Sequence, residues 1–479
     1  MPSDDPKAAR VPELPVVAFA NRLPVTKGRH GWRASAGGLV TALAPALEAR
    51  RGAWVGWDGG GGDVPSRVAG LDVELEGVAL SRREVDDYYH GFANRTLWPL
   101  LHGLVEQPVY NRRWWQAYRE VNERFARAWD ESRDDLRKEL IYWVHDYHLM
   151  LLPQLLRRRG ARGSIAFFLH VPFPSAEVYA RMPWRTQILD GLLGADVVSF
   201  HTAEYCDNFL RTVARLRDDA TIEGSQIRLT DGRVVRVEAH PISIDAGDLA
   251  ERARRPSVDR CLSGLRRQFA GRRVLLGVDR LDYTKGIIER LRAIELLLEL
   301  RSELRGQVAF VQVAVPSRGD IREYRELRAT VEELVGRING RFTEPGMDVP
   351  VHYLYRGVTP DRLLAYYRLA DVCLVTPLQD GMNLVAKEFV TAQAATGGAG
   401  VLVLSEFTGA IAELRQALPC NPFDLDGLVG TIELALELEE DDRRYRLEKM
   451  AATVARNDVY RWAELELEEA GKAARARPQ

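Results

Sequence analysis

Short apolar runs alternate with amphipathic segments along most of the chain. In the first part, apolar runs cover residues 16–20, 54–57, 141–145, 165–169, 197–200 and 234–237. From about residue 244 the alternation starts again, with apolar runs at residues 274–278, 308–313, 351–354, 372–375 and 401–404. Continuous apolar runs are typical of strands buried on both faces of a parallel sheet. The pattern therefore predicts an α/β fold with two doubly wound sheets.

The restart of the pattern divides the chain into two parts of similar size. We expect a disordered lead-in over residues 1–14, a Rossmann-like domain over residues 15–243 and a second Rossmann-like domain over residues 244–456, with a cleft between them. The segment at residues 457–479 reads as an amphipathic helix and a tail. Two further expectations are a polar loop at residues 25–34 and a charged helix at residues 251–273. A length of 479 residues also exceeds what one ordinary hydrophobic core organises.

Composition narrows the classes of partner and the compartment. Lys plus Arg number 66 and Asp plus Glu 68, so no basic surplus indicates nucleic acid as the partner. The four cysteines lie far apart without a C-x-x-C pair, which argues against a zinc site or a disulfide framework. The first ten residues lack an apolar signal core, and no stretch approaches the roughly 18 apolar residues of a membrane span. We expect a cytoplasmic protein that does not bind membranes.

The residues from Asp380 to Glu388, D-G-M-N-L-V-A-K-E, follow the apolar run at residues 372–375. A strand that turns into an Asn-capped helix brings free N–H groups and the positive end of the helix dipole to a cleft, which makes an anion site. We expect Lys387 and Glu388 in the first turn of this helix, where a carboxylate suits sugar hydroxyls. A phosphate site beside a sugar site indicates a sugar nucleotide or a sugar phosphate.

A second polar set, R-L-D-Y-T-K-G from Arg280 to Gly286, follows the apolar run at residues 274–278. Arg280 and Lys285 lie five positions apart on a strand-to-helix turn and can clamp a pyrophosphate, the Arg through its planar fork and the Lys as a point charge. In the first domain, Asp146 and His170 each follow a predicted strand. Because ligands of open parallel sheets bind beyond the carboxyl ends of the strands, we expect Asp146 and His170 in a common site.

Two other segments have the composition of a ligand site. Gly37 and Gly38 precede a helical run at residues 39–47, where adjacent glycines let a backbone approach a ligand closely. Residues 87–99 are rich in Tyr, His, Phe and Trp. Aromatic faces stack on the C–H faces of sugars, and Tyr hydroxyls bind sugar or phosphate oxygens. A structural turn and a buried aromatic patch are the alternative interpretations of these two segments.

Together these motifs resemble those of the trehalose-6-phosphate synthase family of retaining nucleotide-sugar glycosyltransferases. The resemblance extends from Asn21-Arg22 to about Asn457-Asp458. It implies the GT-B architecture, with the C-terminal helix crossing back to the first domain. The reaction implied is transfer of glucose from a nucleoside-diphosphate glucose to glucose 6-phosphate, which gives α,α-trehalose 6-phosphate and the nucleoside diphosphate. In the mechanism implied, the acceptor attacks from the front face and the leaving phosphate takes its proton.

The resemblance also implies a role for individual residues. The catalytic positions would be Arg280, Lys285, His170, Asp146 and Glu388. The donor would contact Gly37, Gly38, His170, Arg280, Lys285, Val358, Asp380, Gly381, Met382, Asn383, Leu384, Val385 and Glu388. The acceptor would contact Arg22, Tyr89, Trp98, Asp146 and Arg318.

The implied ligands are small molecules. Val358 stands where family members that read uracil carry Phe, and the loss of a stacking ring keeps guanine beside uracil as a candidate base. We therefore expect UDP-glucose or GDP-glucose and glucose 6-phosphate as substrates, with no metal and no redox cofactor. Asp424-Leu425-Asp426 has a metal-binding spacing, but its context indicates a helix cap. We also expect a homo-oligomer.

Three alternative functions are weaker. A related transferase that makes another sugar phosphate or joins a pseudosugar is disfavoured because the donor and acceptor motifs both persist. A nucleotide-dependent dehydrogenase would need G-x-G-x-x-G after the first strand and an acidic residue about 20 positions later, and neither is present. A catalytically inactive sugar-phosphate sensor should have lost Arg280, Lys285 or Glu388, and all three are intact.

Overall fold

The computed structural model describes residues 14–28, 31–34, 38–60, 64–132, 140–319 and 321–475. The strands of the first part are β1 (Val16–Arg22), β2 (Val25–Gly28), β3 (Gly31–Ala34), β4 (Ala53–Trp57), β5 (Glu74–Val78), β6 (Ile141–His145), β7 (Ser164–Phe168), β8 (Val197–Phe200), β9 (Ala220–Glu223), β10 (Gln226–Leu229) and β11 (Val234–Ala239). Those of the second part are β12 (Arg273–Arg280), β13 (Val308–Val315), β14 (Val351–Leu354), β15 (Val372–Val375), β16 (Val401–Ser405) and β17 (Leu418–Cys420).

Helices connect most of the strands. The α-helices are α1 (Gly38–Ala49), α2 (Arg82–Glu84), α3 (Trp98–Leu101), α4 (Arg112–Ser132), α5 (Leu152–Arg158), α6 (Ala176–Tyr179), α7 (Arg185–Leu192), α8 (Ala203–Leu216), α9 (Ala246–Ala253), α10 (Pro256–Gln268), α11 (Ile287–Leu300), α12 (Arg322–Phe342), α13 (Pro360–Leu369), α14 (Leu384–Ala395), α15 (Leu425–Glu437), α16 (Glu440–Arg456) and α17 (Val459–Arg475). Short 3₁₀-helices cover Tyr147–Leu149, Tyr283–Lys285, Ser302–Leu304 and Gly409–Ala412, and a π-helix covers Val85–Leu97.

The first sheet has the strand order β5-β4-β1-β6-β7-β8-β11-β10-β9 within the described ranges. The neighbouring strands from β5 through β4, β1, β6, β7 and β8 to β11 all pair in parallel. At the other end of the sheet, β10 pairs antiparallel with both β11 and β9. Alternate residues of β1 pack into two different apolar clusters, Val16 and Ala18 into one and Val17 and Phe19 into the other. Both faces of this sheet are therefore covered, as its continuous apolar strands predict.

The second sheet has the order β14-β13-β12-β15-β16-β17 in the described part of the chain, and all its pairs are parallel. Taken in chain order, this is the 3-2-1-4-5-6 order of a doubly wound nucleotide-binding fold. The strand order reverses between β12 and β15 here, and between β1 and β6 in the first sheet. A crevice opens beyond the carboxyl ends of the strands at such a switch point. The predicted α/β class with two doubly wound sheets is confirmed.

The end of the chain packs on the first sheet. Trp462 of α17 contacts Trp143 of β6 and Phe168 of β7, with ring centroids 5.2 Å apart in both pairs. The Val459 N–H donates to the Ile244 carbonyl, which joins the two segments that pass between the sheets. The domain boundaries at residues 243 and 456 stay a prediction.

Two local expectations were wrong. Residues 251–273 do not form one helix: α9 ends at Ala253 and α10 covers Pro256–Gln268, because Arg255 is extended and Pro256, which has no N–H to donate, starts α10. The expected loop at residues 25–34 contains the antiparallel pair β2–β3, in which Val25 lies opposite Ala34. Gly31 at a φ of 103° supplies the left-handed backbone that begins β3.

Candidate active site

The polar residues at the two switch points face each other. The Tyr205 hydroxyl, from α8 beside the first sheet, donates to the carbonyl of Asp380 after β15 at 3.1 Å. Gly381 approaches His170 so closely that a Cβ atom would lie 2.6 Å from the His170 carbonyl oxygen. The strand ends of the two sheets therefore form a common cleft, and glycine is required at position 381 for this approach.

Lys285 and Asp380 form a buried ion pair on the second-sheet side of the cleft. Lys285 Nζ lies 2.6 Å from Asp380 Oδ2, and the Asn383 side-chain amide donates to the same oxygen at 3.0 Å. Burial alone would raise the pKa of Asp380, but the neighbouring Lys285 ammonium holds it below its ordinary value. Arg280 ends β12, and within the described residues no carboxylate lies within ion-pair distance of it. Two cations, Arg280 and Lys285, are thus present at the switch point of the second sheet.

The start of α14 completes this side of the cleft. Asn383 adopts the left-handed conformation at a φ of 73°, and its side chain accepts from the Ala386 N–H. Because the first turn of a helix leaves its N–H groups without intrahelical partners, Leu384 and Val385 offer donors to an anion. Met382, just before the cap, is buried. The Asn-capped helix start predicted at this position is confirmed.

Glu388 lies directly after the first turn of α14, in which we expected it. The helix begins at Leu384, so Glu388 opens its second turn. The Tyr367 hydroxyl donates to Glu388 Oε2 at 2.7 Å, and burial raises the pKa of the carboxyl. Lys387 does end the first turn, but its ammonium is buried against Glu413 at 2.6 Å. Lys387 is therefore a structural cation.

On the first-sheet side, Arg22 at the end of β1 stacks on aromatic rings. Its guanidinium carbon lies 3.9 Å from the centroid of Trp57 and 6.0 Å from that of Tyr89. Tyr89 in turn stacks on His148 with centroids 5.8 Å apart. A guanidinium on an aromatic face keeps its N–H fork in one orientation, which suits recognition of a phosphate.

Trp98 lies between two arginines of the second half. The guanidinium carbon of Arg318 is 4.1 Å and that of Arg280 5.6 Å from the Trp98 ring centroid. Arg318 also donates to the Tyr147 hydroxyl at 3.2 Å and pairs with Asp282 at 3.2 Å. This cluster joins the predicted acceptor residue Arg318 to the predicted clamp residue Arg280 through one indole.

Asp146 and His170 are adjacent, as expected for residues that follow neighbouring strands. The backbone N–H of His170 donates to Asp146 Oδ1 at 3.3 Å, and His148 Nδ1 lies 3.7 Å from Asp146 Oδ2. Burial would raise the pKa of Asp146, but His148, His170 and the Tyr147 N–H lower it to about 2. Asp146 is therefore a carboxylate at neutral pH, held at a φ of 73°.

Some predicted site positions are not joined to this cluster. Gly37 lies outside the described residues, and Gly38 is the first residue of α1. Val358 is partly buried and packs against the apolar core just before Thr359, which caps α13. The roles given to these three positions, like those given to the other site residues, stay predictions.

Sequence reasoning missed several residues that hold the site together. Asp282 is fully buried and accepts from the Tyr324 hydroxyl at 2.8 Å and from Arg318. Burial would raise the pKa of Asp282, but the cations Arg318, Arg280 and Lys285 stabilise its charge and lower the pKa to about 2. Asp282 lies inside the R-L-D-Y-T-K-G motif, and this position could have identified it as a site residue. Tyr147 and Tyr367 gave none, because buried tyrosines are common.

A metal site and a membrane span were also sought in the described ranges. No group of three or more His, Cys, Asp or Glu side chains there could hold a metal ion. In the same ranges, every helix is too short or too polar to cross a bilayer. Asp424 accepts from the Gly427 N–H at 3.0 Å as the N-cap of α15, which confirms the helix-cap interpretation of Asp424-Leu425-Asp426.

Comparison with known proteins agrees with this geometry. The family model of Glycosyltransferase family 20 matches residues 14–472. The chain belongs to this family. A trehalose-6-phosphate synthase of Mycobacterium avium is 47% identical over 466 aligned positions, and the match covers 93% of each chain. The resemblance stated from the motifs is thus confirmed, and a dehydrogenase is excluded.

Solved structures of the family share the fold. A Burkholderia xenovorans α,α-trehalose-phosphate synthase (UDP-forming), in complex with glucose-6-phosphate, is 35% identical with a TM-score of 0.85, and the match covers 95% of this chain and 99% of that one. An E. coli structure bound with UDP-2-fluoro glucose is 33% identical with a TM-score of 0.87 and the same coverage. These family 20 structures confirm the two-domain GT-B architecture and a glycosyltransferase.

Proposed function

We propose that this protein transfers glucose from a nucleoside-diphosphate glucose to glucose 6-phosphate, giving α,α-trehalose 6-phosphate and a nucleoside diphosphate. The observation that carries the proposal is that cations from both sheets meet at one cleft. Arg280 and Lys285 lie at the switch point of the second sheet, and Arg22 lies at that of the first. Two phosphorylated ligands need two separate cationic positions.

The second-sheet side binds the donor in this proposal. Arg280, Lys285 and the N–H groups of Leu384 and Val385 hold the diphosphate, while Glu388 accepts from hydroxyls of the donor. As the bond from the sugar C1 to the phosphate oxygen breaks, negative charge grows on the leaving diphosphate. Fixed cations and helix-start donors stabilise that charge without reorganisation, as donors of an oxyanion hole do. The remaining donor contacts are Gly37, Gly38, His170, Val358, Asp380, Gly381, Met382 and Asn383.

The first-sheet side presents the acceptor. Arg22, Tyr89 and Arg318 bind the phosphate of glucose 6-phosphate, and Trp98 shapes the acceptor pocket. Asp146, a carboxylate at neutral pH, accepts a hydrogen bond from an acceptor hydroxyl and orients it. Holding both reactants at the cleft replaces a bimolecular encounter by a near-attack geometry.

Transfer occurs with retention of configuration. A double displacement would need a carboxylate nucleophile about 5 Å from a second carboxyl group. Of the carboxylates at this cleft, Asp380 is paired with Lys285, Asp282 with Arg318, Glu388 accepts from Tyr367, and Asp146 accepts from the backbone N–H of His170 and orients the acceptor. In the mechanism that the family resemblance implies, the acceptor's anomeric oxygen instead attacks from the side of the leaving group. Its proton passes to the departing phosphate oxygen as the new glycosidic bond forms.

We propose uracil or guanine as the donor base. Uracil is supported by two similar proteins: a Burkholderia xenovorans synthase is UDP-forming, and the E. coli structure is bound with UDP-2-fluoro glucose. Val358 in place of a stacking ring supports guanine. No metal and no redox cofactor take part in the proposed reaction.

The remaining proposals concern location and assembly. Free thiols at Cys206, Cys261, Cys373 and Cys420 support a reducing cytoplasm. A homo-oligomer is proposed as well, and sedimentation equilibrium of the purified chain tests it. The proposed domains end at residues 243 and 456, and α17 belongs structurally to the first sheet.

A donor panel tests the proposed function. The purified protein is given UDP-, GDP- or ADP-glucose, with and without glucose 6-phosphate, and nucleotide release is measured. We expect release that depends on glucose 6-phosphate with UDP-glucose or GDP-glucose. Equal release without the acceptor would indicate a hydrolase, and no release with any donor would indicate a sensor.

A further inference from the structure

Two imidazoles touch behind the cleft, that of the fully buried His145 and that of the half-buried His170. His145 ends β6 and His170 follows β7, and His145 Nδ1 lies 3.2 Å from His170 Nε2. Burial lowers the pKa of His145 well below its ordinary value and that of His170 to about 4. Both rings are therefore neutral at neutral pH. One proton lies between the two nitrogens, so one ring donates and the other accepts.

The surroundings of His145 decide which ring donates. Its other nitrogen, Nε2, is buried and has no hydrogen-bond partner within the described residues. The rings packed around His145 are Trp143 at 4.7 Å and Trp462 at 6.4 Å between centroids. An indole has a donor and no acceptor, so it cannot satisfy a proton on Nε2. An unpaired buried N–H costs more than an unused acceptor, which places the His145 proton on Nδ1.

We propose that His145 is a positioning residue that holds His170 in the tautomer with the proton on Nδ1. His145 Nδ1–H donates to His170 Nε2, so His170 must carry its own proton on the other nitrogen. Among ring nitrogens of neutral histidines, Nε2 is the position that carries the proton more often in water. His145 thus reverses the ordinary preference of His170.

The backbone of His170 is fixed at the same time. Its N–H donates to Asp146, and its carbonyl accepts from His201 Nε2, which is 3.1 Å away. The ring is partly exposed at the cleft end of β7. With backbone and tautomer both fixed, His170 offers the donor sugar an N–H group from a constant position. The consequence of this tautomer for catalysis rests on the proposed glucosyl transfer, whereas the tautomer itself does not depend on any substrate.

The tautomer is measured by ¹⁵N spectroscopy of protein labelled in its histidine rings, with the His170→Asn variant used to assign the His170 signals. We expect a protonated Nδ1 and a bare Nε2 in the wild-type protein. His145→Leu should move the proton of His170 to Nε2. His145→Asn places an amide donor near the position of Nδ1 and should preserve the wild-type tautomer. A protonated Nε2 in the wild type, or an unchanged tautomer in His145→Leu, would overturn the proposal.

Kinetics with UDP- or GDP-glucose give the second readout. We expect His145→Leu to lower kcat/KM for the donor about 10- to 100-fold, the usual loss when an outer partner that orients an imidazole is removed. The KM for glucose 6-phosphate should stay unchanged, and His145→Asn should recover most of the activity. Equal losses in the Leu and Asn variants would contradict the positioning role. An inactive wild type with the expected tautomer would refute the glucosyl transfer and leave the histidine pair intact.

Discussion

Lys285 Nζ lies 2.6 Å from Asp380 Oδ2, although 95 residues separate them in the chain. The pair joins the loops that follow β12 and β15, the two strands at which the order of the second sheet reverses. It holds an ammonium in place at the switch point, where doubly wound sheets bind phosphates. A bound diphosphate would share this ammonium with Asp380.

The pair gives a test that separates stability from catalysis. Lys285→Ala leaves a buried carboxylate without its partner, and we expect a loss of roughly 3–5 kcal/mol in the free energy of unfolding. The double variant Lys285→Ala with Asp380→Asn removes that charge and should recover most of the stability. Its kcat/KM should stay as low as that of the single variant. Denaturant unfolding and steady-state kinetics measure both, and recovery of activity in the double variant would exclude Lys285 from the clamp.

Arg280 is the second cation of the proposed clamp. Replacing it with Ala should cost roughly 2–5 kcal/mol of transition-state binding, because the bound diphosphate loses a charged hydrogen-bond partner. The matched control is Arg337→Ala, since Arg337 pairs with Glu295 at a half-exposed position on α12. The control should keep its kcat/KM. A loss of less than tenfold in Arg280→Ala would contradict the assignment.

Arg22 should act on the acceptor alone. Removing its guanidinium from the face of Trp57 takes away a phosphate partner on the first-sheet side. We expect Arg22→Ala to raise the KM for glucose 6-phosphate and to leave the KM of the nucleotide sugar nearly unchanged. Initial rates over a grid of both substrates separate the two constants. A defect confined to the donor would place Arg22 on the wrong side of the cleft.

His240 and Glu466 predict how stability depends on pH. His240 Nδ1 contacts Glu466 Oε1 at 2.5 Å, with Arg236, Glu238 and Glu469 nearby. Burial opposes protonation, but Glu466 raises the pKa of His240 above 6.5. A raised folded-state pKa means that this stabilisation is complete below pH 6.5 and is lost as pH rises through the folded-state value.

The Tm of wild type and of His240→Gln over pH 6 to 9 checks this dependence. We expect the wild type to exceed the variant most at pH 6, with the difference shrinking as pH rises. A difference that grows with pH would show that His240 is neutral in the folded protein.

Much of the fold followed from apolar periodicity. Strands such as β12 and β15 are buried on both faces, so their residues read as unbroken apolar runs. In contrast, β9 and β10 are short antiparallel strands near one edge of the sheet with half-exposed residues, and they carry no such run. The π-helix at Val85–Leu97 was also not predicted, because its mixed polar and aromatic residues follow no helical spacing.

The sequence predicted those site residues that share one motif or that follow neighbouring parallel strands. Asp146 and His170 could be paired because parallel neighbours end at the same edge of a sheet. Contacts across the cleft could not, since the Arg318 bond to Tyr147 spans 171 residues and depends on how the two halves meet. The position of Glu388 was missed narrowly: with Asn383 as the cap, the helix begins at Leu384, and Glu388 is the residue directly after the first turn.

The stereochemistry of the product tests the account most directly. The disaccharide phosphate made from the nucleoside-diphosphate glucose and glucose 6-phosphate is isolated, and its two anomeric protons are examined by NMR. We predict a single product in which both anomeric positions have the α configuration, with one nucleoside diphosphate released per linkage. An α,β-linked product, or free glucose in place of a disaccharide, would contradict front-face transfer between the two cationic sides of this cleft.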